Sequence, residues 1–409
     1  VQNGFGTKEA IGIAASSLAE RPVLGSGPGT YYYDFFKHKS VDFNYGPNWT
    51  LGFNKAYNEV LEKISTIGIL GLLAYCVLAV LAFLLLMKTT KMEKSGEFLA
   101  VAFLSLLLFQ FLFFETSVLK FMFVLFLAFA SAGKFMLSDG RNKSEIVSFD
   151  IRGRGLSGGM LSVFGVMVIL VCSTSMALGI QIFRAEAKYV AAINSAEPQD
   201  LDSAKLEEIV KLNPYKGDYS AGLSGLYLSR VYYLINQDKD DQDTLNRITV
   251  EANNALTSAS KAVEVSPNNM LLWENYSYIY KSIDALGMKG GNEWAIKGYE
   301  KAIALAPNDP SLRIELGKLY LAKYEKDDKD EDKKADLEKA KEVLLKSEEL
   351  KNDHPAAALQ LAIVYSQERD GDKMLQQVDK ASQMSGLGVA EAVEIGRMYY
   401  NAGAMDKAK

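Results

Sequence analysis

From Glu20 to Phe36 the chain reads Glu-Arg-Pro-Val-Leu-Gly-Ser-Gly-Pro-Gly-Thr-Tyr-Tyr-Tyr-Asp-Phe-Phe. Its glycines at alternate positions, Gly25, Gly27 and Gly29, permit backbone conformations and close approaches that other residues resist. Beside an arginine, such a loop can cradle an anion, the backbone N–H groups supplying donors and Arg21 a planar charged fork. The Walker lysine is missing, so the spacing points to an anion and not to a nucleotide. Tyr31, Tyr32, Tyr33, Phe35, Phe36, Tyr45 and Trp49 can stack on sugar rings, or lie at a lipid interface where aromatics are favoured in any case. His38, between Lys37 and Lys39, reads as a solvated loop histidine before it reads as a functional one. Cys76 and Cys172 sit inside apolar runs, where small buried hydrophobes are expected and a metal or redox pair is not.

The elements that hold this loop fall into two contrasting halves. The 409 residues carry 45 Lys and Arg against 50 Asp and Glu, a net charge of −5 with no basic face, which sets nucleic acid aside as the main partner. Long apolar runs lie before Phe183 and charge clusters after it. Residues 67–87, 98–114, 118–137 and 160–183 are each apolar enough for a bilayer of about 30 Å, which takes roughly 17 to 25 helical residues. The short link Glu115 to Ser117 makes a hairpin of the second and third. Lys88, Lys91 and Lys94 lie between the first two spans; Arg141, Lys143, Arg152 and Arg154 lie between the last two, after Lys134. Positive loops stay cytoplasmic, so the segment before Ile67 and everything after Phe183 are expected outside. Only Gln110 and Lys120 interrupt the spans, too few polar groups for an ion path.

After Arg184 the pattern becomes amphipathic helices separated by Pro-containing corners. Lys261-Ala-Val-Glu-Val-Ser-Pro-Asn-Asn269 returns as Lys301-Ala-Ile-Ala-Leu-Ala-Pro-Asn-Asp309; Leu350-Lys-Asn-Asp-His-Pro355 and Lys211-Leu-Asn-Pro214 are looser versions. With Leu316-Gly-Lys-Leu-Tyr320 and Glu394-Ile-Gly-Arg-Met-Tyr-Tyr-Asn-Ala-Gly403, these repeats resemble the tetratricopeptide (TPR) family. Such pairs bury their apolar faces only by stacking, and the resulting concave side often grips a protein. Trp273, Tyr276, Tyr280 and Trp294 are expected in the repeat core, and Asp238 to Thr244 and Glu325 to Asp336 as exposed loops.

A second resemblance rests on Arg-Pro-x-Leu-Gly-x-Gly-Pro-Gly-Thr-aromatic at residues 21–31, an Asn-containing helix start at Asn58, and Thr66-Ile-Gly-Ile-Leu-Gly71 running into the first span. Over roughly Ala10 to Ala82 the chain resembles the O-antigen ligase and polymerase superfamily of membrane proteins. The resemblance implies a polytopic helical bundle whose extracytoplasmic loop handles a glycan on an undecaprenyl diphosphate carrier, transferring or polymerising it without metal or other cofactor. Cations would stabilise the leaving diphosphate and a base would take the acceptor's proton. Arg21 is the first candidate cation, with Lys55 and Lys37 behind it; Tyr57 and Glu59 are the other catalytic candidates, and Gly25, Gly27, Gly29, Lys55 and Asn58 the substrate-binding ones. The sequence departs from the family pattern at Tyr57-Asn58, where members have His-Asn, and at Thr66, where an acid is common. Tyrosine, with an unperturbed pKa of about 10, is a poor base near neutrality.

The expected fold is therefore all-α: an extracytoplasmic loop over 1–66, four membrane helices over 67–183 and a TPR-like solenoid over 184–409, in a bacterial inner or plasma membrane. The chain starts at Val1 without Met and stops at Lys409 within an amphipathic pattern, so continuation at both ends is expected. The functional expectation is a membrane glycosyltransferase whose repeats recruit a partner or acceptor. The alternative is a catalytically inactive, membrane-anchored TPR scaffold for protein–protein interaction.

Overall fold

A computed structural model of the chain describes residues 6–90, 94–114, 116–136, 156–195, 203–236, 241–288, 290–326 and 329–408, and these hold helices and turns without a strand. It separates into two units, Val1–Ser40 with Gly46–Gly179, and Val41–Tyr45 with Ile180–Lys409. The loop arginines and lysines that set the expected orientation, Lys91, Arg141, Lys143, Arg152 and Arg154, fall outside the described residues, as do Glu115 and Asp238.

The first unit holds α1 (Thr7–Glu20), α2 (Tyr31–His38), α3 (Glu59–Thr90), α4 (Lys94–Leu112), α5 (Ser117–Met136) and the start of α6 (Leu156–Ser195). Helix α1 turns Ala10, Ile13, Ala14 and Ser17, spaced three or four apart, inward. Helices α3, α4 and α5 share a core in which small residues let Phe103 in: Ala79, Ala82 and Leu86 meet Ala100 and Phe103, and Phe123 lies 5.7 Å from Phe103 between ring centres. Gln110 does not open a polar path, because it is buried and accepts a hydrogen bond from the Tyr75 hydroxyl at 2.5 Å. The outward faces remain apolar, with Leu73, Val77 and Val80 exposed on α3 and Val101, Leu108 and Phe111 on α4.

Among the described residues, two stretches are long and apolar enough to cross a membrane, Glu59–Met87 with mean hydropathy 2.9 and Gly165–Ile193 with 2.1. Among the described residues, helices α4 and α5 carry the shorter apolar stretches Glu97–Leu112 and Ser117–Ala130. Among the described residues the candidate spans therefore number two, against the four expected. Cys76 and Cys172 are exposed on α3 and α6, not buried as expected, because among the described residues no helix covers the apolar faces they sit on.

The second unit is a stack of helix pairs. α7 (Ser203–Leu212) leads into α8 (Gly217–Ile235) with α9 (Gln242–Val265), α10 (Met270–Ala285) with α11 (Gly291–Leu305), α12 (Pro310–Lys326) with α13 (Asp330–Leu350), α14 (Pro355–Gln367) with α15 (Gly371–Ser382), and α16 (Val389–Asn401). The corners start the helices. Pro310 and Pro355 open theirs, where a missing N–H costs nothing. The Asn269 side chain accepts from the Leu271 N–H at 3.1 Å, and Asp309 accepts from Ser311 at 2.9 Å. Small residues let each pair close: Ala252, Ala255, Ala259 and Ala262 line the buried face of α9, while Gly298 approaches Ser277 and Gly317 approaches Leu344 too closely for any side chain.

Residues Val41–Tyr45 pack into this unit as a 3-10 turn spanning Asp42–Tyr45. The fully buried Asn44 donates its side-chain amide to the Asn308 carbonyl at 2.9 Å and the Leu350 carbonyl at 3.2 Å, and its own carbonyl accepts from Lys351 Nζ at 2.9 Å. These bonds satisfy the amide nitrogen, while the buried Oδ1 of Asn44 has no hydrogen-bond partner among the described residues.

Three local expectations need correction. Residues 325–336 are not one exposed loop: α12 continues to Lys326 and α13 begins at Asp330, because Asp336 is buried against Lys323 at 3.1 Å and draws the charged stretch into helix. Likewise α9 begins at Gln242, capped by Asp241. Trp294 is 50% exposed, with Lys297 lying 4.4 Å over its ring, whereas Tyr276 is buried and Trp273 and Tyr280 pack against the core.

Candidate functional site

In the first unit the glycine loop is clasped to a break in α3. Gly68 leaves helical geometry at φ +62° and ψ −170°, which frees the carbonyls before it and the amides after it. Ser26 donates its N–H to the Ser65 carbonyl at 3.1 Å and Gly27 to Thr66 at 2.8 Å, while Ile69 donates to Pro22 at 2.9 Å and Leu70 to Val23 at 3.1 Å. Gly25, at φ +68°, comes so near that an added Cβ would lie 2.5 Å from the Thr66 carbonyl carbon. The two short motifs on either side of this clasp are therefore one structural device.

The glycines thereby spend donors that the sequence offered to an anion. The amides of Gly25 and Gly27 are committed to Arg21 and Thr66 carbonyls, which leaves Gly29, φ +78°, facing a cavity of about 280 Å³ with Pro28, Glu59, Glu62, Lys63, Thr66, Tyr75 and Lys120. Of the catalytic candidates, Glu59 borders this cavity, ion-paired with Lys63. Arg21 is exposed at the end of α1, 3.9 Å from Glu20; Tyr57 is exposed; Lys55 is half-buried; none of the three lines the cavity. Asn58 caps α3, its side-chain oxygen accepting from the Leu61 N–H at 2.9 Å while its amide donates to the Phe111 carbonyl at 2.9 Å.

Neighbouring residues also differ from expectation. Tyr31, Phe35 and Phe36 are buried, with Phe35 and Phe53 edge to face at 5.3 Å, so the aromatic run is mostly core. His38 ends α2 and lies 3.3 Å from Glu20, which also takes Lys37 at 2.6 Å; burial, ahead of the attraction of Glu20, holds the imidazole below its ordinary pKa. Asp34 escapes sequence reasoning. It is buried, its carboxyl is raised by burial in spite of a hydrogen bond from Ser26 Oγ at 2.5 Å, and it ties the loop to α2. The one acid among the aromatics from Tyr31 to Phe36 is its signal.

In the second unit a groove of about 690 Å³ runs along the first helices of consecutive pairs. Helix α10 presents Leu271, Glu274, Asn275, Tyr278 and Lys281, which share one face at i, i+3 and i+4 spacing; α12 presents Ser311, Ile314, Glu315 and Lys318, and His354 closes the end. Glu315 bridges Lys281 at 2.7 Å and Lys318 at 2.6 Å; burial works against its charge, and the two lysines outweigh it, so the carboxyl stays below its ordinary pKa. Burial first, then Lys351, hold His354 low and hence neutral near pH 7. Asn275 is fixed by a 3.0 Å bond from Ser224 on α8. The lining stripe lies one position away from the core aromatics Tyr276 and Tyr280 on the same helix. An amphipathic helix carries both readings, and only stacking decides which face is covered.

No protein-family model matches the chain, and no curated protein sequence matches it. Among solved structures it is similar to a thermophilic TPR protein of Thermus thermophilus, at 20% identity over 45% of this chain and 86% of that one, with a TM-score of 0.34. It is also similar to PilF of Pseudomonas aeruginosa, at 18% identity, 57% and 88% coverage and a TM-score of 0.38. YrrB, a TPR protein with an unusual peptide-binding site, gives 16% identity, 51% and 88% coverage and 0.33. The helix pairing described above is what defines the repeat fold in this chain.

Proposed function

We propose that this chain is a membrane-anchored TPR-type scaffold whose groove holds an extended segment of a partner protein. The groove itself is the observation that carries the reading: polar, charged and aromatic side chains at helical spacing, on rigid paired helices, facing a space of about 690 Å³. Core positions of the repeats are apolar and closed, so this face is free to vary for recognition. Leu271 and Tyr278 are exposed on it at 41% and 48%, which makes them removable without loss of fold. Leu271→Asp with Tyr278→Ala is expected to weaken co-purification of the partner at least about tenfold, a loss of about 1.4 kcal/mol, with an unchanged melting temperature. Retention of the partner by this double variant would sink the reading.

In this reading α3 and α6 cross the membrane, and the hairpin of α4 and α5 packs on α3 in the apolar layer, whether it crosses twice or dips in. Either way the number of crossings is even. The glycine loop and the repeats then emerge on one side, the extracytoplasmic one given the lysines and arginines between the apolar segments. The apolar outward faces of α3 and α4 support anchoring, since exposed patches of this extent are rare on soluble monomers.

A second reading, glycosyl transfer from a lipid diphosphate carrier, is favoured by one observation: the two short motifs of the ligase resemblance meet in the clasp, beside a cavity bordered by Glu59, Lys63 and Lys120. Arg21, exposed outside that cavity at the end of α1, would then approach the diphosphate from the solvent side, and Glu59 the acceptor. Arg21→Ala is expected to lower transfer from undecaprenyl-diphosphate glycan at least about a hundredfold, the scale of losing one charge-stabilising donor. Undiminished transfer in that variant removes Arg21 from the chemistry, and absence of transfer by the intact protein removes the reading.

A further inference from the structure

The charges lining the repeat groove, Glu274 and Glu315 against Lys281 and Lys318, balance in number but not in pairing. Lys281 and Lys318 both point at Glu315, one at each carboxylate oxygen, and form a closed cluster. His354 is held neutral by burial. Glu274 lies two turns before Lys281 on α10, half-buried in the same wall, and among the described residues its carboxylate has neither a hydrogen bond nor an ion pair. Burial and the nearby charges of Asp309 and Glu315 raise its pKa, and Lys281 only partly offsets them. A carboxylate kept partly out of water without a partner is costly, and the cost is relieved when a cation arrives. The surrounding wall suits the stem of a long basic side chain: Leu271 and Tyr278 flank Glu274 on the exposed face of α10.

Resting on the groove reading above, we propose that the partner segment is basic, and that one of its lysine or arginine side chains seats against Glu274. Glu274 is then the specificity-determining residue of the groove, while both lysines of the Lys281–Glu315–Lys318 cluster are already held by one carboxylate on its far wall. An acidic side chain at this point is disfavoured because it would set a second carboxylate against the unpaired Glu274.

The test uses the full chain in detergent micelles and three fluorescein-labelled twelve-residue probes, alternating Ala-Lys, Ala-Glu and Ala-Gln, followed by fluorescence anisotropy. The Ala-Lys probe is expected to bind, Glu274→Gln to weaken it at least about tenfold, the scale of one charge-assisted hydrogen bond, and Glu274→Lys to shift preference to the Ala-Glu probe. Glu349→Gln, a change at an exposed carboxylate outside the groove, is expected to leave binding unchanged and so controls for the chain's overall negative charge. If Glu274→Gln binds the Ala-Lys probe as tightly as the unaltered chain while Leu271→Asp alters binding, the groove stands and the basic preference is wrong. If Leu271→Asp and Tyr278→Ala alter binding of none of the probes, the groove reading fails along with it.

Discussion

Gly25→Val is expected to destabilise the first unit by about 2 to 5 kcal/mol. The figure combines about 1–2 kcal/mol for forcing a side chain into left-handed backbone with about 1–3 kcal/mol for overpacking. Gly25 sits at φ +68° with the Thr66 carbonyl carbon 2.5 Å and the Gly68 nitrogen 2.6 Å from where its Cβ would be. Both contacts are backbone, so neither can swing aside, and the paired hydrogen bonds from Ser26, Gly27, Ile69 and Leu70 would have to part. Gly29 gives the control: its φ of +78° is also left-handed, but nothing lies within 4 Å of an added Cβ, so Gly29→Ala is expected to cost only about 1–2 kcal/mol. Thermal unfolding in detergent, followed by tyrosine and tryptophan fluorescence, measures both. Equal melting temperatures for the two variants would mean the clasp is not what holds this loop.

The second large effect lies in the repeats. Leu344 is fully buried, and its branch carbons sit 2.6 and 2.7 Å from the position of a Cβ on Gly317. Leu344→Ala removes a packed side chain and is expected to cost about 2–5 kcal/mol. Gly317→Ala pushes a methyl into the same space and is expected to cost about 1–3 kcal/mol. The double variant should cost less than the sum by at least about 0.5 kcal/mol, because alanine at 344 vacates the volume that alanine at 317 enters. Urea unfolding of the four proteins gives the cycle directly. Strict additivity would show that α12 and α13 do not touch at this point in solution.

Much of the repeat half is legible in the sequence because its signals are local. Pro310 and Pro355 mark helix starts, Leu316-Gly317 marks the close crossing onto α13, and the alanine run from Ala252 to Ala262 marks the buried face of α9. The glycine loop is likewise visible from its residues. What it does with its donors is not, since the partners of Gly27 and Ser26 lie some 39 residues away in α3, beyond any spacing rule. Distance in sequence also hides the burial of Asp336 by Lys323 and the capture of Asn44 by Asn308, Leu350 and Lys351. Hydrophobicity alone places Trp294 in the core; its half-exposed ring instead lies under Lys297, a surface stacking that costs little and leaves no pattern. The groove stripe on α10 is hidden for a related reason. Leu271, Glu274, Tyr278 and Lys281 mix every chemical type, and their common feature is only that no neighbouring helix covers them.

The account turns on whether a partner protein lies in that groove. A photo-cross-linking amino acid placed at Tyr278 in the groove, and in parallel at Glu349 on the exposed face of α13, tests it in cells that make the full protein. The expected result is one discrete adduct from position 278, abolished by Leu271→Asp, and none from position 349. Adducts of equal yield from both positions, or an adduct at 278 indifferent to Leu271→Asp, would contradict the scaffold reading.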